Sequence, residues 1–147
     1  MKESRILMSP YKMLFFSYHE FASGKWGGRR TSPHIWAISY ICFVSTFLFM
    51  SLELEMQRHG YSIISALQGL DWVPGVVKIT WPAFLIAALN FSYFLFSGKW
   101  KSILRDFSGK SAREKVRSHC FSLIVTTLVF SIFLLEAWAY ENARIPV

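Results

Sequence analysis

The chain has 147 residues, room for one domain, and is 53% hydrophobic and 18% aromatic with a formal net charge of +7. Its apolar residues come in charge-free blocks, Ile35–Leu52, Ile79–Phe96 and Phe121–Leu135, too long for the remaining residues of a soluble protein to cover. An ordinary soluble domain is excluded. With their flanks the blocks approach the ~20 residues that cross ~30 Å of hydrocarbon, which predicts an all-α integral membrane protein with three transmembrane helices.

Residues 6–22 mix aromatic and aliphatic side chains with Pro10, Lys12, His19 and Glu20. Such a segment is too polar to span and too apolar to float free, so an interfacial helix on the cytoplasmic face is expected. Its apolar run is broken and no small-x-small cleavage site follows, so insertion is expected to depend on the first span. Gly24, Gly27 and Gly28 end the segment, and Arg29 and Arg30 fall at headgroup level.

The first span is predicted over 33–59. Ser32 suits an N-cap, Pro33 the first helical position, and Gly60 the left-handed cap after Arg58 and His59. Residues 61–70 carry Ile63, Ile64, Leu67 and Leu70 on one face, the pattern of a short amphipathic helix on the outer surface. The second span covers 72–97, opened by Asp71 and Pro74, with a kink expected at Pro82 and an end at Ser97–Gly98. Trp100, Ile103, Leu104 and Phe107 then follow the i, i+3, i+4, i+7 rule, giving a second cytoplasmic interfacial helix over 99–107. "SARE" at Ser111–Glu114 has the spacing of a capping box and opens the third span, 112–140.

The tetrapeptide "SGKW" occurs at Ser23–Trp26 and again at Ser97–Trp100. Each copy ends a helix at a membrane boundary: glycine for the cap, lysine for phosphates and terminal carbonyls, tryptophan for the aromatic belt. Lys25, Trp26, Lys99 and Trp100 are therefore expected interface anchors. The phosphate-loop pattern G-x-x-x-x-G-K-[ST] is absent, which argues against a nucleotide site.

Basic residues are unevenly placed. Six precede the first span and seven lie between the second and third, whereas the first loop has only Arg58 and Lys78 and the tail only Arg144. By the positive-inside rule this gives N-in, C-out. Insertion bias accounts for the charge without nucleic acid as a partner. Lys101, Arg105, Arg113 and Arg117 are expected to meet anionic lipid or an acidic partner surface.

Within the spans, Ser39, Thr46, Asn90, Thr127 and Ser131 fit helix–helix packing, with Asn90 expected to hydrogen-bond across an interface. Glu53, Glu55, His59 and Asp71 share the outer level with Arg58 and Lys78, so solvated helix ends are preferred over a cation site. Cys42 and Cys120 make no disulfide or metal motif, and no G-x-S-x-G or paired aspartates signal catalysis. No cofactor or metal is expected.

The sequence thus predicts a non-catalytic membrane protein, a small accessory or anchoring subunit binding membrane lipids and a larger membrane protein complex. A self-assembling channel or membrane-disrupting effector, a homo-oligomer, is the alternative. A bacterial inner membrane is the expected location, with an organelle membrane as the other possibility.

Overall fold

A computed structural model describes residues 9–24, 32–64 and 75–143, with side chains in the last segment from residue 80 onward. All regular structure among these residues is helical: α1 (Pro10–Ser23), α2 (Pro33–Arg58), α3 (Gly75–Phe91), α4 (Lys99–Ser108) and α5 (Ala112–Ala143). Ser92–Phe96 continues α3 as a π-helical turn, with the Ser97 N–H donating to the Ser92 carbonyl at 3.3 Å. Lys25, Trp26, Arg29, Arg30, Leu67, Asp71, Pro74 and Arg144 lie outside the described residues, as does most of the 61–70 segment, of which Ile63 and Ile64 are helical.

Local sequence sets the helix ends. Ser111 and Glu114 form a reciprocal capping box: Glu114 N–H donates to Ser111 Oγ at 3.3 Å, and Ser111 N–H to Glu114 Oε2 at 3.0 Å. Gly60 and Gly98 both take positive φ, +82° and +65°, where a side chain would be strained. Ser32 stands at the N-cap of α2 before Pro33, though its hydroxyl makes no capping bond. The two SGKW copies end their helices alike at the serine and differently at the glycine. Ser23 Oγ donates to the His19 carbonyl at 2.7 Å, and Ser97 Oγ to that of Tyr93, so each closes the last turn. Gly24 is extended rather than left-handed (φ −83°, ψ 177°), and a Cβ there would stand 2.7 Å from the Glu20 carbonyl oxygen.

The core forms around α1. Phe15, Phe16 and Leu14 are buried with Ala37, Ile38 and Ile41 of α2, Phe94 of the π-turn, and Ile103 and Phe107 of α4. Rings stack through it, Phe15 on Phe94 at 4.7 Å between centroids and Phe16 on Phe107 at 3.9 Å. The chain bends by 63° between Thr80–Phe96 and Lys99–Ser108, which turns the apolar face of α4 onto α1. The apolar faces that the sequence assigns to a lipid surface therefore cover each other: Phe15, Ile103 and Phe107 are 0% exposed.

Two described helices, α2 and α5, are long and apolar enough to cross a membrane, and the bent pair Thr80–Phe96 with Lys99–Ser108 passes the same test when taken together. These features fit an all-α integral membrane protein with two or three spans.

Candidate functional site

We call the end where α2 and α5 begin the basic end. There α1 is tied to α5 by side chains spaced one turn apart. Ser118 and Ser122 donate to the Met13 carbonyl at 3.0 and 3.3 Å, and Tyr18 shares a hydrogen bond with Thr126. His119 joins the set through both ring nitrogens, with Nδ1 2.8 Å from Ser17 Oγ and Nε2 3.1 Å from Glu20 Oε2. With Nε2–H donating to the carboxylate, Nδ1 accepts the serine hydroxyl proton. Lys12 adds an ion pair to Asp106 of α4 at 3.3 Å.

Ser17, His119 and Glu20 have the composition of a nucleophile–base–acid relay. Three features suit them to a structural tie between α1 and α5. Ser17 is only 7% exposed, it lies mid-helix where backbone N–H groups are occupied by the helix, and the two clefts beside α2 do not include it. Nearby, burial and then the proximity of His34 hold His19 below the usual histidine range.

Trp100, expected in the aromatic belt, is half-buried and stacks on His34 at 4.5 Å, with Lys101 Nζ 5.5 Å above its ring. It thereby pins α4 to the start of α2. Lys99 and Lys101 are exposed, as are Arg105, Arg113 and Arg117, and none of these five forms an ion pair among the described residues. Their charge is open to an anionic surface.

The packing residues expected within the spans disperse. Ser39 is exposed and donates to its own helix at the Ile35 carbonyl, 3.0 Å away, and Thr46 does likewise to Cys42 at 2.8 Å. Thr127 and Ser131 line a cleft of about 300 Å³ opposite Phe43 and Phe47 of α2. Asn90 differs from its expectation. Its Nδ2 donates to the Ile86 carbonyl of its own helix at 2.8 Å, and its buried Oδ1 has no partner among the described residues. Trp81 Nε1, also on α3, is in the same condition. Each such group costs about 1–3 kcal/mol when left unmatched.

Sequence reasoning missed the α1 seam. Ser118, Ser122 and Thr126 recur every four residues, a polar row down one face of α5, and Ser17 and Glu20 lie one turn apart on α1. Those two rows were the available signal. On α2 the buried face is Ala37, Ile38, Ile41, Val44, Ser51 and Glu53, mostly apolar because it meets the aromatic α1.

At the opposite end, Glu53 is 1% exposed, and its carboxylate accepts from Gln57 Nε2, Ser62 Oγ and the Ile63 and Ile64 N–H groups, the last three at the start of the next helical turn. It acts as an N-cap supplied from a distance. Arg58 bridges Glu55 at 2.7 Å and Glu136 at 3.3 Å, and His59 reaches Glu55 at 3.1 Å. A guanidinium thus occupies the centre of these carboxylates, and no group of three metal-ligating side chains occurs among the described residues. Comparison with protein-family models, with curated proteins and with solved structures gives no match for this chain.

Proposed function

We propose that the protein is a non-catalytic integral membrane protein, an accessory or anchoring subunit that binds a larger membrane complex through its transmembrane helices. The observation that carries this reading is the bareness of α5. Its buried residues are Ser118 and Ser122, both at the basic end, and only 6% of its apolar window is covered by the rest of the chain. Beyond Thr126 it exposes Leu128, Phe130, Leu134, Leu135 and Trp138. Interleaved among them, Thr127 and Ser131 are small and weakly polar, the residue types that let a second membrane helix approach closely. The inward placement of the amino terminus and of the α4–α5 loop belongs to this reading, and the open positive charge of Lys101, Arg105, Arg113 and Arg117 supports it. A bacterial inner membrane is the location we assign.

Photo-crosslinking residues placed at Leu128 and Leu135 in the native membrane test the reading. They should capture one distinct protein, while the same residue at Ser102 should not. Capture of lipid alone, or of further copies of this chain alone, would contradict it.

A further inference from the structure

The hydrogen bonds between α1 and α5 fix how α5 is turned about its own axis. Ser118 and Ser122 donate to the Met13 carbonyl and Thr126 shares a bond with Tyr18, so that face looks inward. At about 100° per residue, Arg113, Arg117 and Ile124 lie about half a turn away and look outward. All three are exposed, as are Val116 and Leu123 beside them. Two guanidinium groups therefore stand one turn apart at the head of an open apolar column.

Neither guanidinium is balanced from within. Each described carboxylate at this end is already engaged: Glu20 with His119, Asp106 with Lys12, and Glu114 with Lys110 and the Ser111 N–H. Depth then sets the level. From Arg117 to the exposed Trp138 the helix rises about 31 Å, which matches the ~30 Å of a hydrocarbon core. Arg117 thus stands at the phosphate layer, with Arg113 one turn farther out among the headgroups. One leaflet is about half that thickness, so a lipid chain descending from Arg117 ends near Thr127, short of Leu128 and Leu135.

The basic face of α4 differs in kind. Lys101 and Arg105 carry the same charge, but Ile103 and Phe107 of their helix are fully buried against α1, and every exposed residue of α4 is polar. An anion that carries a hydrocarbon chain is matched at Arg113 and Arg117 and unmatched on α4.

We propose that Arg113 and Arg117 bind the phosphate of an anionic phospholipid whose acyl chain lies along Val116, Leu123 and Ile124. Guanidinium groups bond phosphate oxygens in pairs and are weakly hydrated, which suits them to this boundary. A phosphatidylcholine offers the same phosphate, but its ammonium brings a positive charge up to the arginine pair. An acidic protein segment would answer the arginines and leave the column uncovered. The proposal rests on α5 spanning a membrane and not on the accessory-subunit reading.

The test uses the full chain in phosphatidylcholine nanodiscs at physiological ionic strength, with a trace of lipid carrying a photoreactive acyl chain. Photoreactive phosphatidylglycerol should label residues 116–124 at least about fivefold more than photoreactive phosphatidylcholine. Arg113→Gln combined with Arg117→Gln should bring that ratio to about one, with the melting temperature unchanged. Lys101→Gln combined with Arg105→Gln removes equal charge from α4 and should keep the ratio above about threefold, since salt screens charge beyond ~8 Å. Glycerol phosphate, an anionic phosphate without a chain, should not displace the label. Equal labelling by the two lipids, complete loss of selectivity in the α4 variant, displacement by glycerol phosphate, or crosslinking from position 116 to a protein in the native membrane would each overturn the proposal.

Discussion

The two ends of this molecule are held together by different chemistry. At the basic end, α1 is wedged among α2, α4, α5 and the π-turn, with Phe15 and Phe107 fully buried and His119 bonded through both ring nitrogens. Toward the other end, α5 meets α2 through Phe47, whose ring contacts Phe130 and Phe133 edge-on at 5.4 and 4.7 Å, and through the Arg58–Glu136 ion pair. Leu128, Leu134, Leu135 and Trp138 of α5 face outward there. One end resembles the interior of a soluble protein placed at a membrane surface. The other is a pair of helices whose outer faces lipid or another protein must cover. The contrast teaches that the packed α1 residues of the basic end should govern stability, while the exposed α5 residues of the far end should govern association.

Substitutions can break that contrast. Phe15→Ala should destabilise the protein by about 3–5 kcal/mol, as expected for removing a fully buried ring. Leu135→Ala, at a site 64% exposed, should change stability by no more than about 0.5 kcal/mol. Both are measured by denaturant-induced unfolding of the detergent-solubilised protein. Equal effects would erase the distinction between the ends.

Glu53 sharpens the comparison, because it is the one strongly buried charge described at the far end. Glu53→Ala removes an acceptor shared by Gln57, Ser62 and two backbone N–H groups, and should cost roughly 1.5–3 kcal/mol. Faster hydrogen exchange at Ile63 and Ile64 should accompany the loss. Exchange unchanged at those amides would show that the carboxylate does not hold the turn.

Much of this architecture is legible in the sequence, and the rest is not for identifiable reasons. The capping box at Ser111–Glu114 and the left-handed glycines at 60 and 98 are local features, and local spacing reveals them. The apolar, charge-free blocks make α2 and α5 long enough to span. What local spacing cannot reveal is which apolar faces meet. The segments containing Phe15 and Ile103 each read as half of a lipid-facing helix, yet they cover one another after a 63° bend at Gly98. The π-turn at Ser92–Phe96 has no sequence signature, and it moves Phe94 into the core. Asn90 is recognisable as a costly polar group in a span, but spacing does not reveal that its amide bonds back to Ile86 of its own helix and leaves its oxygen unmatched among the described residues.

A smaller effect per residue than at Phe15 or Glu53 concerns the open charge at the basic end. Replacing Lys101, Arg105 and Arg113 with glutamine should weaken binding to anionic vesicles by about 1 kcal/mol per charge at low ionic strength, with little change in stability. Cosedimentation with phosphatidylserine and phosphatidylcholine vesicles distinguishes this from a fold defect. Unchanged partitioning would show that these groups do not hold the surface.

The central claim is that the bare face of α5 docks on another protein. Its most direct test is to solubilise the tagged chain from its native membrane in a mild detergent and measure the mass and composition of the particle. The account predicts a stoichiometric complex with a larger membrane protein, lost when Leu128 and Leu135 are both replaced with asparagine. A particle containing this chain alone, as a monomer or a homo-oligomer, would contradict it.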